Sequence, residues 1–214
     1  MNVGIDYSLR WTAACFYDGK QMSWHLYPVA KTQAAKAMCK RLTDTGLVTV
    51  TFAKFSIEGN YTEKERAKVM ESAILSDNIV KSALSAAPDE NSKKDFYFAF
   101  EGVSFNSKGN SLVDTAMSVG VTREKLVRIF GHDRMHVYAP TSVKLFAGKG
   151  NYNKVQMRDA LLLRPELPQK MREIMSDHSV VNGKGKLQKP IDDIVDACWL
   201  SLMLHHELNT TVDA

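Results

Sequence analysis

The feature that most constrains the fold is an apolar run near the middle of the chain, FYFAFEGV at residues 96–103. A run of this kind predicts a central strand buried on both faces, because a strand with one face in solvent alternates apolar and polar residues. Its one charged residue, Glu101, lies near the C-terminal end. We therefore expect a sheet flanked by helices, with a carboxylate where a central strand ends.

Periodicity and turn residues predict the other elements. Three short apolar segments open the chain, and Asp18-Gly19 between the second and third predicts a tight hairpin. Thr62 and Glu65 have the spacing of a capping box, which predicts a helix from there to about residue 86. Strands are expected at 2–8, 11–17, 21–27, 47–55 and 135–138, and further helices at 30–42, 110–130, 142–146, 153–163 and 190–208. The segment at 47–55 has no predicted place in the sheet, and 88–94 is expected to be a linker.

Composition narrows the class of protein. With 214 residues, 44% of them hydrophobic, the chain is long enough for one domain with its own core. No apolar run approaches the roughly 18 residues of a membrane span, and the N-terminal sequence lacks the pattern of a secretory signal peptide. The three cysteines, Cys15, Cys39 and Cys198, are widely spaced, which is typical of a reducing compartment. We expect a cytoplasmic protein with no membrane association.

Four carboxylates stand at positions where charge needs compensation. Asp6 lies in the apolar first strand, Glu101 ends the central strand, and Asp193 and Asp196 are neighbours on the last helix. Carboxylates near a core are costly unless they are paired, hydrogen-bonded or metal-bound. Their hard oxygens favour Mg²⁺ or Mn²⁺, and two such ions about 4 Å apart can promote phosphodiester hydrolysis. Taken singly, each residue has a structural alternative, such as bonding to loop backbone or complementing a helix dipole.

Positive charge is concentrated in residues 139–190. This segment has ten basic and four acidic residues, a net charge of +6 against −2 for the rest of the chain. A basic segment on a nearly neutral body is typical of a protein that binds a polyanion. Lys144, Lys149 and Lys154 surround a Gly-Lys-Gly turn, where glycines let backbone N–H groups approach a phosphate. A solvated lysine-rich surface is the alternative.

The order of these motifs resembles the RuvC family of Holliday-junction resolvases, within the RNase H-like superfamily. The matching motifs are GID at 4–6, Glu101 at the end of the fourth core strand, PTSVK at 140–144, GKG at 148–150, KVQM at 154–157 and DIVDA at 193–197. The resemblance covers residues 1–28 and 96–208. It departs at Tyr7, where many members have proline, and at Asp192, whose spacing to Asp196 also suits a ligand. The DxxDA register favours Asp193.

The resemblance implies an α/β fold of the RNase H-like type, with a mixed five-stranded sheet flanked by helices and an inserted segment between the third and fourth core strands. It implies a single nuclease domain over residues 1–214, with the extended insert in 29–95. The insert is similar to that of divergent phage or viral members.

The resemblance also implies an activity. The expected enzyme is an Mg²⁺-dependent endonuclease that resolves four-way DNA junctions by paired symmetric nicks, leaving 5′-phosphate and 3′-hydroxyl ends. Its catalytic metal ligands are Asp6, Glu101, Asp193 and Asp196, which hold two Mg²⁺ ions per site, with Mn²⁺ as a substitute. Two alternatives stay open: a less selective flap, fork or RNA–DNA hybrid nuclease of the same fold, and a non-catalytic junction-binding protein.

DNA contacts and assembly complete the expectation. Family members often place a base-stacking aromatic just past the strand-end Glu, which implies this role for Phe105 and a phosphate contact for Lys108, although Phe105 has the alternative of folding onto the core. Phosphate contacts are likewise implied for Lys144, Lys149 and Lys154. Paired nicks require two active sites, so a homodimer on branched DNA is implied. The stripe of Leu112, Ala116 and Val119 suits either the dimer contact or burial against the sheet.

Overall fold

The computed structural model describes residues 1–29, 32–52, 58–102 and 110–210. Six strands form one sheet in the order β4-β3-β2-β1-β5-β6. The strands are β1 (Asn2–Asp6), β2 (Trp11–Tyr17), β3 (Met22–Pro28), β4 (Val48–Val50), β5 (Tyr97–Glu101) and β6 (Met135–Tyr138). Strand β2 is antiparallel to β1 and β3, whereas the pairs β1–β5, β5–β6 and β3–β4 are parallel.

Helices cover both faces of this sheet. They are α1 (Gln33–Thr43), α2 (Tyr61–Ala86), α3 (Glu90–Lys94), α4 (Asn110–Phe130), α5 (Pro140–Ala147), α6 (Lys154–Leu162), α7 (Gln169–Ser176) and α8 (Ile191–Thr210). Helix α8 packs along β1, β2 and β5 on one face, and α2 packs against α4 on the other. None of the helices in the described ranges is both long and apolar enough to cross a bilayer.

The expected fold class is confirmed, but the sheet has six strands rather than five. Strands β3, β2, β1, β5 and β6 form a mixed five-stranded core in which β2 is antiparallel to both of its neighbours. The sixth strand, β4, comes from the segment that the sequence left unplaced, and it pairs with Trp24–Leu26 at the outer edge of β3 after the crossover through α1. A three-residue strand has too little periodicity to be placed from sequence. Residues 53–55 of the predicted strand lie outside the described residues.

Local capping explains two further corrections. Helix α2 begins at Tyr61 because the capping box is Asn60 with Glu63, not Thr62 with Glu65: Glu63 N–H donates to Asn60 Oδ1 (3.1 Å) and Asn60 N–H donates to Glu63 Oε2 (2.7 Å). The expected linker at 88–94 contains α3, whose N-cap Asp89 accepts from two backbone N–H groups. Helix α7, bounded by Pro168, was not predicted.

Alternation along β1 assigns its side chains to the two faces of the sheet. Val3 and Ile5 are fully buried against α2 and α4, together with Phe98 and Phe100 of β5. Gly4 faces α8, and a Cβ added there would lie 2.1 Å from the carbonyl oxygen of Ala197. Helix α8 can therefore approach β1 this closely only because position 4 is glycine.

One of the three positions in the apolar stripe predicted on α4, Val119, faces the core of the protein rather than solvent. Val119 is 5% exposed and packs between α2 and the sheet, so it has no free surface for a dimer contact. The exposed apolar residues of α4 are instead Val113, Met117 and Val121, at 56%, 63% and 39% exposure. Their spacing of four places them along one side of the helix.

On the α2–α4 face, side-chain hydroxyl groups form hydrogen bonds with one another beside the end of β1. Tyr7, the residue after β1, hydrogen-bonds Ser118 of α4, and Ser76 of α2 hydrogen-bonds Thr122 at 2.7 Å. Thr122 Oγ1 also lies within 3.2 Å of the carbonyl oxygen of Ser118. Burial raises the pKa of Tyr7, so its phenol stays neutral. These four hydroxyl groups satisfy one another without charge.

Candidate active site

Parallel pairing brings two of the four predicted carboxylates to one edge of the sheet. Strands β1 and β5 run in register, with Ile5 opposite Phe100, and both end at the next residue. That residue is Asp6 in β1 and Glu101 in β5. By the alternation that turns Gly4 toward α8, both side chains belong to the α8 face.

Helix α8 brings the other two carboxylates to the same edge. The helix runs back along β1, with Asn2 hydrogen-bonded to His205 (2.9 Å) at one end and Gly4 against Ala197 in the middle. Its first turns then lie beside the end of β1, where the charges of Asp193 and Asp196 act on Asp6. The structure thus places the four predicted carboxylates at one edge of the sheet, where Asp193 and Asp196 act on Asp6, and Asp196 acts on Glu101. We refer to Asp6, Glu101, Asp193 and Asp196 as the acidic set.

Burial makes the acidic set difficult to ionise. Asp193 and Asp196 are 2% and 9% exposed. Desolvation raises the pKa of Asp6 well above its ordinary value, and the charges of Asp196 and Asp193 raise it further. Burial also raises the pKa of Glu101 and of Asp196, and it raises that of Asp193 to about 7, although Lys189 partly offsets the last shift. A group of carboxyls in this condition attracts cations.

Two lysines supply positive charge inside the site. Lys154, at the start of α6, forms an ion pair with Asp196, and Lys189 pairs with Asp193 and, at 3.0 Å, with Asp192. Burial disfavours the charge of both lysines, but the neighbouring carboxylates outweigh it and raise the pKa of each. Lys189 was not predicted as a site residue, and the signal that could have identified it is its position four residues before Asp193.

A third cation supports the site from the α4 side. The guanidinium of Arg123 lies over the Phe100 ring, 5.0 Å from its centroid, and donates to the backbone oxygen of Glu101 (3.2 Å). It thereby fixes the end of β5 that carries the Glu101 side chain. Nothing in the sequence distinguishes Arg123 from a surface residue, because an arginine on a long amphipathic helix is most often exposed.

The residues partly fit a divalent metal. Their oxygens are the ligands that Mg²⁺ prefers, and Asp193 Oδ2 is buried without a hydrogen-bond donor. Across the described residues, however, no three carboxylate, histidine or cysteine side chains converge closely enough to form a ready-made metal site. The lysine ammonium groups lie against the carboxylates instead. Metal binding would therefore require Lys154 and Lys189 to move away from Asp196 and Asp193.

Asp192 and Asp193 differ in how they face the site. Asp193 is almost fully buried and acts directly on Asp6, while the largest influences on the Asp6 pKa do not include Asp192. Asp192 shares Lys189 with Asp193 and raises the pKa of both Asp193 and Asp196. Asp192 Oδ1, like Asp193 Oδ2, is buried without a hydrogen-bond donor, so the choice of Asp193 as the metal ligand stays a prediction.

The residues predicted to contact DNA lie in three different parts of the chain: a segment outside the described residues, a cleft beside the acidic set, and an exposed turn. Phe105 and Lys108 lie outside the described residues. Lys144 lines the small cleft beside Glu101 and Asp196, which Lys154 also lines. Lys149 is exposed in the turn between α5 and α6. The role of all these residues on DNA stays a prediction.

The structure has recognisable likenesses among solved proteins. No family model matches the chain, and no curated protein matches it by sequence. A Thermus thermophilus RuvC structure is similar at 14% identity and a TM-score of 0.47, covering 98% of this chain and 95% of that one. T. thermophilus RuvC in complex with a Holliday-junction substrate is similar at 13% identity and a TM-score of 0.41, covering 94% and 89% of the two chains. At these identities the residues of the acidic set, rather than the likeness, indicate the chemistry of the site.

Proposed function

We propose that this protein is a metal-dependent, structure-selective DNA endonuclease that resolves four-way junctions by paired symmetric nicks, in the cytoplasm. The observation that carries the proposal is the acidic set: four carboxyls from three separate elements meet at one edge of the sheet. Mutual repulsion and burial make that arrangement unfavourable unless cations compensate it. A purely structural role would not require four such groups in one place.

The acidic set would hold Mg²⁺, with Mn²⁺ as a substitute. Bound divalent ions supply an activated water and stabilise the leaving oxygen in phosphodiester hydrolysis. Asp6 and Glu101 are anchored at the ends of β1 and β5, so they keep their positions while Lys154 and Lys189 exchange partners. The lysines freed from Asp196 and Asp193 are then available to the phosphates of the substrate.

Lys144, Lys149 and Lys154 follow one another around the site. Lys144 and Lys154 line the cleft beside Glu101, and exposed Lys149 extends the positive surface away from it. The segment with net charge +6 therefore begins at the acidic set itself. This continuity supports a role in which the backbone of one DNA arm leads to the scissile phosphate.

Cleavage assays on defined substrates test the proposal. We expect Mg²⁺-dependent, symmetrically paired cuts in a labelled synthetic four-way junction, with much slower cutting of flap, fork, duplex and RNA–DNA hybrid controls. Asp6→Asn should bind the junction without cutting it. Equal cutting of flaps or hybrids would instead support the less selective nuclease, and metal-independent binding without any cutting would support a junction-binding protein.

We also propose a homodimer, because paired nicks need two acidic sets related by a two-fold axis. An apolar groove of about 510 Å³ between α2 and α4 supports it, lined among others by Val69, Met117 and Val121. Val69 and Met117 are 61% and 63% exposed, which is unusual for apolar side chains grouped together.

Sedimentation tests the dimer. Met117→Glu should give a folded monomer that nicks only one strand, because Met117 makes the groove apolar without entering the core. Val119→Asp is unsuitable because that residue is buried. A wild-type monomer at micromolar concentration in the presence of junction DNA would contradict the paired mechanism.

A further inference from the structure

A second groove is lined in part by Lys189, which pairs with Asp193 of the acidic set. It has a volume of about 600 Å³ and lies between the start of β2, the start of α1 and the loop before α8. Its lining includes Arg10, Trp11, Val29, Met38, Leu187 and Lys189. The volume is within the range of about 300–1,000 Å³ typical of sites that enclose small organic groups.

The lining of the groove combines apolar and cationic groups. Aliphatic side chains and an indole form much of the wall, Arg10 and Lys189 are the charged residues, and none of the described lining residues is acidic. This composition suits a ligand with a flat apolar part and an anionic part. A nucleotide has both, since the base stacks on aromatic rings and the phosphate pairs with cations.

The groove is joined rigidly to the acidic set. The turn from Asp6 to Trp11 is held by Ser8, whose Oγ donates to the backbone oxygen of Trp11 (2.7 Å) and accepts from its N–H (2.9 Å). Thr12 Oγ1 in turn donates to the backbone oxygen of Ser8 (2.6 Å). On the other wall, Lys189 lines the groove and pairs with Asp193. A group that contacts Trp11 is therefore held at a fixed position relative to Asp6, and Lys189 joins the other wall to Asp193 in the metal-free protein.

We propose that this groove binds an unstacked nucleobase of the DNA substrate, next to the phosphate that the acidic set cleaves. Trp11 provides the stacking surface, and Arg10 pairs with the phosphate of the bound nucleotide. The inference rests on the proposed nuclease function and adds a base-binding position to it. Branched DNA suits such a site, because bases at a branch point are already partly unpaired and cost less to extrude than bases within a duplex.

The tryptophans make the groove observable without cleavage. Trp24 and Trp199 are 0% and 2% exposed in the core, whereas Trp11 is half-buried and lines the groove. Quenching of intrinsic fluorescence by a bound base therefore reports on Trp11. The titration uses a short single-stranded oligothymidine in EDTA, beside the same oligonucleotide with its central bases removed.

We expect the intact oligonucleotide to quench the fluorescence and the abasic one to bind at least about fivefold more weakly. Because the Trp11 variants lack this reporter, their binding is measured by the fluorescence anisotropy of end-labelled probes. Trp11→Ala should weaken binding to a similar extent and remove the difference between the two probes, while Trp11→Phe restores the difference. Arg10→Ala should weaken the binding of both probes alike. Lys20 is an exposed cation in the β2–β3 turn, at the opposite end of β2, and Lys20→Ala should change the binding of neither probe.

Junction binding and cutting, measured in parallel, separate this inference from the proposed function. If the protein binds and cuts junctions but shows no quenching, or binds the abasic probe equally well, the groove does not hold a base and the inference is overturned while the function stands. If no DNA binds in any assay, both fail. Loss of the probe difference in Trp11→Ala with normal circular dichroism supports the inference, because a misfolded variant would also lose its spectrum.

Discussion

The two faces of the sheet terminate differently at the same edge. On the α2–α4 face, β1 leads into Tyr7, whose hydroxyl joins a neutral set with Ser118 of the neighbouring helix. On the α8 face, β1 ends in Asp6 beside two further carboxyls of α8. Consecutive residues, Asp6 at the end of β1 and Tyr7 after it, thus contribute to an acidic set and to a neutral hydroxyl set. The comparison shows that the hydroxyl groups satisfy one another, whereas the carboxyls depend on the cations Lys154 and Lys189.

The largest expected effect comes from neutralising the acidic set. Glu101→Gln or Asp6→Asn should lower the cleavage rate by roughly a thousandfold or more, because each removes a charged ligand from the reacting centre. Thr122→Val, which alters the hydroxyl set on the other face, should leave the rate of cutting near wild type. Single-turnover cleavage of a labelled junction measures both. Equal losses in Thr122→Val and Glu101→Gln would mean that the two faces do not differ in role.

The close approach of α8 to β1 gives the next largest effect. Gly4→Ala should destabilise the protein by about 3 kcal/mol, because the new Cβ would meet backbone atoms of α8 at 2.1 and 2.4 Å. The displaced helix should also carry Asp193 away from Asp6 and slow cleavage. The matched control is Gly120→Ala in α4, where nothing lies within 4 Å of the new Cβ. At that position the better helix propensity of alanine should raise the free energy of unfolding by at most about 1 kcal/mol. Urea unfolding measures both variants.

Buried charge makes the stability of the metal-free protein depend on pH. The pKa of Asp193 in the folded state, about 7, lies above its value in the unfolded chain, so the folded state binds the proton more tightly. The contribution of Asp193 to the free energy of unfolding is fully present below about pH 4 and is lost as the pH rises through 7. The expected decrease is on the order of 1–3 kcal/mol. Asp193→Asn should flatten this part of the profile, and Tyr7→Phe should not. Unfolding in EDTA between pH 4 and 8 tests both, and an unchanged slope in Asp193→Asn would exclude Asp193 as its source.

The smallest effect concerns a single phosphate contact. Lys149→Ala should lower the slope of log K against log salt by about 0.9, as expected for one lost contact to duplex DNA. Lys81→Ala, an exposed lysine of α2 on the other face, should leave the slope unchanged. Junction binding measured by fluorescence anisotropy at several salt concentrations distinguishes them. If Lys81→Ala gave the larger change, DNA would bind over the α2–α4 face.

Sequence periodicity predicted the parts of the fold in which local pattern and burial agree. The run ending at Glu101 and the helix containing Asp193 and Asp196 are strongly patterned, and helix α4 begins and ends where it was predicted. The meeting of the four carboxyls followed from a family resemblance, because no local rule states which strand lies next to which. Strand β4 was not placed for the same reason, as its partner Trp24 lies far away along the chain.

Other features were missed because they depend on tertiary distance. Lys189 is one of ten basic residues in its segment, and only the folded chain separates it from the rest by placing it against Asp193. For Val119 the sequence leaves a dimer contact and burial both open, because helical spacing gives two apolar sides of α4 and does not say which one meets the sheet. The orientation of a helix about its own axis is decided by packing, which the sequence expresses only in part.

Strand β4 also has a consequence for how this protein behaves at high concentration. An exposed outer edge of β3 would present a row of unpaired N–H and C=O groups, which is a template for adding strands from other molecules. The short β4 pairs with the middle of β3. Two flanking backbone hydrogen bonds occupy further groups of that edge: Trp24 N–H donates to the oxygen of Leu47 (2.9 Å), and Thr51 N–H donates to the oxygen of Leu26 (2.8 Å). The new edge is only three residues long, and β6 at the other side has four. Neither of these described edges is long enough to favour edge-to-edge pairing of sheets between molecules.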